Sequence, residues 1–302
     1  MMPTFLVIGA AKSGTTALWT YLRQHPDVFM PAFKEPQFFA FAEGDRPAFG
    51  GPGATIGRAI TNRVAYEALF TDAGGARAVG EASNLYLYVD EAAGRIAAAL
   101  PDVRLLAILR QPADRAFSSY QHLKRQGREP APTFEAALAM EADRIRDGWG
   151  FLWRYRDFGN YGRQLRRYLD VLPREQLMVH LYDDLESNPG GTLRRTFEFL
   201  GVDPSFIPDL SARPNRGGVP RTGWRGALLS RRNPLRRLLA PLVPSGARKQ
   251  ARAAADRQAL ARETIDPATR VRLTREFDED IAELESLLQR DLSAWRIAED
   301  AA

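Results

Sequence analysis

The sequence predicts an α/β fold: a single domain with a central parallel sheet flanked by helices. Three observations carry this. The short apolar run Phe5-Leu6-Val7-Ile8 leads through a glycine-rich turn into a helical pattern. The run Val103 to Leu109 is continuously apolar but for Arg104, as in a strand buried on both faces of a parallel sheet. Strands alternate with helices along the chain, the order of a parallel α/β sheet. Such a sheet binds ligands at the carboxyl ends of its strands.

The elements follow in order. Thr4 to Ile8 reads as a buried strand and Thr15 to Gln24 as a helix stopped before Pro26. A loop carries Lys34-Glu35-Pro36, and Pro36 predicts extended backbone at Glu35. Residues 43–58, rich in glycine and proline, read as a surface loop. Val79 to Ala82 is a second strand, Glu91 to Leu100 a helix, and Val103 to Leu109 a central strand. Pro112 opens a helix over 112–125, where its missing N–H costs nothing. Further helices are predicted at 133–146, 159–171 and 191–200, and a strand at 176–181. Leu273, Phe277, Ile281, Leu284 and Leu288 form one apolar stripe, predicting a C-terminal helix at about 268–290. Residues 1–302 thus read as one domain with a basic, Pro/Gly-rich segment at about 213–252.

Composition excludes some chemistry. There is no cysteine, so disulfides, thiolate nucleophiles and cysteine-ligated metals are ruled out. His25, His122 and His180 are scattered without metal-ligand spacing, and structural roles are expected for all three. No apolar run reaches the roughly 20 residues of a membrane span, and no basic segment with an apolar h-region opens the chain. A cytoplasmic setting is the expectation. The net charge of +5 is local, because residues 221–252 hold nine Lys/Arg and no Asp/Glu while the rest nets −4. Nucleic acid is therefore not an expected partner.

Gly9-Ala-Ala-Lys12-Ser13-Gly14-Thr15-Thr16 carries the most chemistry. Its two glycines have the spacing of a Walker A loop, and Thr16 stands at that motif's Ser/Thr position. Thr15 occupies the Walker lysine position, and the loop's lysine is Lys12. Backbone N–H groups in such a turn, with the following helix N-terminus, make an anion nest. No strand-end aspartate marks a magnesium site: the run to Leu109 ends in Arg110. That weakens the reading as an ordinary ATPase or GTPase.

The loop resembles the 5′-phosphosulfate loop of sulfotransferases that use 3′-phosphoadenosine 5′-phosphosulfate (PAPS). Arg110-Gln-Pro112-Ala-Asp-Arg115-Ala-Phe-Ser118-Ser-Tyr120 resembles their 3′-phosphate motif, and Lys34-Glu35-Pro36-Gln37-Phe38-Phe39 is similar to a segment of the bacterial and glycan branch. Weaker likenesses are Gly80-Glu81-Ala82-Ser83, Tyr182-Asp-Asp-Leu185 with Phe199-Leu200-Gly201, and Asp291 to Trp295. The motifs run in family order from about residue 5 to 295. The resemblance implies the P-loop-NTPase-like sulfotransferase fold and PAPS as co-substrate, with adenosine 3′,5′-bisphosphate as product and no metal required. It implies that Lys12, Ser13, Gly14, Thr15 and Thr16 bind the phosphosulfate, and that Arg110 and Ser118 bind the 3′-phosphate. An arginine fork suits the latter better than lysine would.

Glu35 is implied to be the general base, with its flanking aromatics restricting water. Lys12 is implied to stabilise charge on the leaving phosphate. Tyr161 resembles a residue on the adenine side, or is a helix-face core tyrosine. A late nucleotide loop is assigned to Pro214–Arg221, with Arg216 and Arg221. Many glycan sulfotransferases carry lysine where Ala82 stands, so that group is missing here. The implied acceptor is a carbohydrate, glycolipid or secondary metabolite bearing a hydroxyl or amine. Two alternatives stay open: a magnesium-dependent P-loop kinase or NTPase on a small molecule, and a catalytically silent nucleotide-binding protein. The arginine–leucine mixture of 221–252, with Trp224, suits peripheral membrane contact, a lid, an anionic acceptor or a solvated face.

Overall fold

The computed structural model describes residues 1–45, 47–52, 59–211, 219–220, 260–261 and 264–297. Five parallel strands form one sheet: β1 (Phe5–Gly9), β2 (Val28–Phe29), β3 (Ala78–Ala82), β4 (Arg104–Leu109) and β5 (Leu177–Leu181). Their spatial order is β2-β3-β1-β4-β5. The chain leaves β1 first towards one edge and later towards the other. The carboxyl end of β1 is therefore the switch point, where an open parallel sheet leaves a crevice.

Alternation along the strands divides the core. Leu6 and Ile8 of β1, with Leu105, Ala107 and Leu109 of β4, face one side. Phe5 and Val7, with Leu106 and Ile108, face the other. The second face is covered by α1 (Thr15–Leu22) and α9 (Pro189–Leu200), through Leu18, Leu22, Leu193 and Phe197. The first is covered by α3 (Ala92–Ala99), α4 (Pro112–Arg125) and α7 (Tyr161–Leu169), backed by α10 (Pro267–Arg275) and α11 (Asp278–Leu288). Each fully buried aliphatic side chain contributes about 1.5–3 kcal/mol relative to exposure. The remaining helices are α2 (Arg63–Ala68), α5 (Phe134–Ala139), α6 (Glu141–Arg146) and α8 (Tyr182–Ser187). Val219–Pro220 pairs antiparallel with Leu260–Ala261.

Caps match the local sequence. Pro112 takes the first position of α4, and the Gln111 side chain accepts from the Asp114 N–H at 2.9 Å. Gln111 also donates to Thr274 Oγ1 and to the Trp295 carbonyl, tying the end of β4 to the C-terminal helices. Two sequence expectations need correction. The helix at 133–146 is two helices, α5 and α6, breaking at Met140. The C-terminal helix at 268–290 is also two, α10 and α11, meeting at Phe277. Acidic residues stand at both new helix starts. Glu141 and Asp143 open α6, and Asp278, Glu279 and Asp280 open α11, while Arg272 and Arg275 close α10. Carboxylates at a helix start and cations at a helix end are what the macrodipole favours, so the apolar stripe hides a new N-terminus. The basic segment at 213–252, with Arg216 and Arg221, lies outside the described residues apart from Val219–Pro220.

Gly80 pairs with Phe5 across β3 and β1, and the Phe5 ring lies over it. A Cβ on Gly80 would sit 2.4 Å from Phe5 Cζ. Gly80→Ala should therefore overpack the sheet and cost about 1–3 kcal/mol, read as a lower midpoint in urea unfolding. An unchanged midpoint would contradict this packing.

Candidate active site

The crevice at the end of β1 is lined by the glycine-rich turn. Gly9 passes tightly against the chain after β3, where a Cβ would lie 2.8 Å from Leu87 Cβ. Lys12 has φ 68° and Gly14 φ 103°, the left-handed conformations that turn successive N–H groups to one side. Gly14 caps α1 with no side-chain hydrogen bond, and no acidic residue stands in the first turn. The N–H groups that open the helix are thus left to an anion. A side chain at Gly14 would press on Tyr182 at 3.1 Å. Thr15 is buried and Thr16 half-buried. Ser13 is fully buried and its Oγ has no hydrogen-bond partner.

Arg110 follows β4 directly, as the strand end requires, and its guanidinium lies 4.9 Å from the centre of the Tyr182 ring. Ser118 is half-buried two turns into α4. Helical spacing puts it on one face with His122 and Arg125. That face turns towards the loop. Burial and Arg125 are the main influences that push the Lys12 amine down to about 8; Glu35 opposes them, and Arg110 and Lys34 add to the depression. Burial and the charges of Lys12, Arg125 and Arg128 push His122 down to about 4. His180 is likewise pushed down to about 4, by burial first, whereas His122 sits beside Lys12 and Arg125 and bonds Gln126. His25 bonds the Asp203 carbonyl, and His180 bonds Thr196 Oγ1.

Glu35 closes the other side. Its Oε1 accepts from Lys34 Nζ at 2.7 Å and Asn84 Nδ2 at 3.0 Å, and its Oε2 accepts from Gln37 Nε2 at 3.1 Å. The side chain is 32% exposed, so a ligand can reach it. Two expectations are corrected here. Glu35 is not extended before Pro36 but has φ 64°, and Gln37 follows with φ 60°. The bonds from Glu35 N–H to the Ala82 carbonyl and from Gln37 N–H to Ser83 Oγ hold this strained loop on the end of β3. The flanking aromatics do not screen the carboxylate either. Phe38 stacks on Tyr66 and Phe39 packs edge-on to Tyr66 and Tyr86, while polar donors surround Glu35.

Tyr161 is fully buried at the start of α7, 6.4 Å from the Trp295 ring. Its hydroxyl has no hydrogen bond of good geometry. Burial pushes its pKa up, and Arg115, Ser13 and Arg110 pull against that, so the phenol lies behind the loop. It reaches a ligand only through those neighbours. The structure therefore gathers Lys12, Ser13, Gly14, Arg110, Glu35 and Tyr161 around one crevice, with the Ser118 face of α4 beside it. The sequence reading missed Gln37, Asn84, His122, Arg125 and Tyr182 as site residues. The 118/122/125 spacing was the available signal for two of them.

A parallel sheet with an anion-binding loop at its switch point, a strand-end arginine and a facing carboxylate defines a nucleotide-phosphate-binding α/β protein. The sulfotransferase family model matches residues 3–206, and the chain belongs to that family. The crystal structure of a sulfotransferase from Alicyclobacillus acidocaldarius superposes with a TM-score of 0.78 at 37% identity, covering 98% of this chain and 100% of that one. Mouse bifunctional heparan sulfate N-deacetylase/N-sulfotransferase 3 is 30% identical over 217 residues, 68% of this chain and 23% of that protein. Mouse heparan sulfate glucosamine 3-O-sulfotransferase 3B1 is 30% identical over 203 residues, 67% of this chain and 46% of that protein. The chain thus matches between about a quarter and a half of the length of these curated relatives.

The Lys12 geometry gives a signed prediction. A lysine with a folded value of about 8 against an ordinary 10.5 binds fewer protons in the native state. It lowers stability below pH 8, and the penalty fades as pH rises towards 10.5. Lys12→Met should raise the melting temperature of the ligand-free protein more at pH 7 than at pH 10. A larger gain at pH 10 would contradict it.

Proposed function

We propose that this protein transfers a sulfuryl group from PAPS to a hydroxyl or amine of an acceptor. The observation that carries the reading is the crowding of Lys12, Arg110, Arg125 and Lys34 around a backbone anion nest, with one carboxylate, Glu35, opposite. Such a field suits a ligand with several negative charges. The left-handed turn at Lys12 fits a phosphosulfate, and the N–H groups of Gly14, Thr15 and Thr16 would hold it. Arg110 and Ser118 would hold the 3′-phosphate, the arginine kept in place by the Tyr182 ring. Tyr161 would act from behind, through Ser13. Arg216 and Arg221 would belong to the loop that covers the nucleotide.

In this reading Glu35 takes the proton from the acceptor as its oxygen or nitrogen attacks sulfur. Lys34, Gln37 and Asn84 fix the carboxylate for that step. Lys12 offsets the charge that develops on the leaving phosphate. The acceptor is a carbohydrate, glycolipid or secondary metabolite. Kinship with proteins named for heparan sulfate supports a sugar.

Two outcomes follow. Adenosine 3′,5′-bisphosphate at about 100 times its Kd should stabilise the native state by roughly 2.7 kcal/mol, read as a thermal shift without magnesium. A shift only with ATP and magnesium would favour a kinase and sink this reading. In sulfate transfer to a panel of sugar and phenol acceptors, Glu35→Gln should lower kcat about 10²-fold with the bisphosphate shift preserved. Near-normal turnover would remove Glu35 from the base role.

A further inference from the structure

One buried carboxyl has no part in the mechanism above. Glu81 lies on β3, 1% exposed, one residue from the strand end. The hydroxyls of Tyr86 and Tyr66 both donate to its Oε1, at 2.6 and 3.1 Å, and its Oε2 has no partner. Ser83 faces the same carboxyl and also the Tyr86 hydroxyl. Ser83 Oγ accepts from Gln37 N–H at 2.9 Å, and Gln37 Nε2 donates to Glu35 Oε2 at 3.1 Å. The Glu35 N–H bonds the carbonyl of Ala82, the residue after Glu81.

We propose that Glu81 is a positioning residue for Glu35 and acts as the neutral acid, anchoring through Tyr66, Tyr86, Ser83 and Gln37 the strained loop that carries the base. The proposal rests on the reading of Glu35 as that base. A carboxylate out of water is costly even with three hydroxyls turned to it, whereas a neutral acid keeps both phenol donors on Oε1 and carries no charge. The groups facing Glu81 agree. They are Tyr66 from α2, Tyr86 and Ser83 from the chain after β3, and Glu35 from its loop, whose charge is of like sign. Burial, with a smaller contribution from Glu35, pushes the acid up to about 7, while the three hydroxyls moderate the rise. Ionised, Glu81 would set a second negative charge behind the base, beside a site proposed to receive a polyanion.

Glu81→Gln keeps the shape and removes the charge. The folded value lies above the unfolded one, so the native state holds the proton longer. That contribution to stability is full below about pH 4.5 and is lost as pH rises through 7. The melting temperature of Glu81→Gln relative to wild type should therefore be higher at pH 8.5 than at pH 5.5. In bisphosphate release from PAPS with acceptor, the variant should turn over within about threefold of wild type at pH 6 and lack the wild-type fall near pH 7. Tyr66→Phe removes a bond that favours the ionised form and should move that fall to higher pH.

A tenfold or greater loss in Glu81→Gln at pH 6 would overturn the proposal. So would a pH profile superimposed on wild type, or a melting difference equal at both pH values. The melting comparison needs no turnover. If wild type transfers no sulfate, the donor reading fails on its own while the charge state of Glu81 is still decided.

Discussion

The site is organised by one electrostatic conflict. Lys12 is held in a left-handed turn, largely out of water, with Arg125, Arg110 and Lys34 acting on it and Glu35 as its counterweight. Two unit charges 4 Å apart interact by about 4 kcal/mol near a protein surface, so crowding of like charge is not a small effect. The described chain relieves it only in part, by pushing the lysine towards neutrality. An anion in the loop relieves it directly. Much of the surrounding architecture keeps these groups from moving apart: the Tyr182 ring under Arg110, the Gln111 bonds to the C-terminal helices, and the buried phenol behind Ser13.

Backbone strain marks the same place. Of four non-glycine residues with positive φ among those described, three are Lys12, Glu35 and Gln37. Each such conformation costs of order 1–3 kcal/mol and persists where its surroundings over-determine it. At Lys12 the loop is fixed between β1 and α1. At Glu35 and Gln37 the end of β3 does the fixing, through Ala82 and Ser83. Glu35, the proposed base, and the loop of Lys12 are therefore tied to the ends of adjacent strands of one sheet, and their separation follows the β1–β3 register.

What could be read in advance was what is local. The spacing of Gly9 and Gly14, the apolar run before them and the proline after Arg110 each encode their geometry within a few residues, and strand, turn and helix followed. Asn84, one partner of Glu35, did not show, because it stands 49 residues away and the β3 pairing brings it near. The pre-proline rule failed at Glu35 for the same reason: a tertiary hydrogen bond to Ala82 outweighs a local preference. The apolar stripe of the C-terminal segment was real, but three acidic residues from Asp278 start a new helix within it.

The central claim is that the crevice is shaped for a nucleotide with a 3′-phosphate. Calorimetric titration of adenosine 3′,5′-bisphosphate against adenosine 5′-monophosphate, in wild type and in Arg110→Ala, tests it most directly. A charge-assisted arginine–phosphate contact predicts at least about a tenfold preference for the bisphosphate in wild type, largely lost in Arg110→Ala. Equal affinity for the two nucleotides in wild type, or a preference that survives the loss of Arg110, would contradict the account.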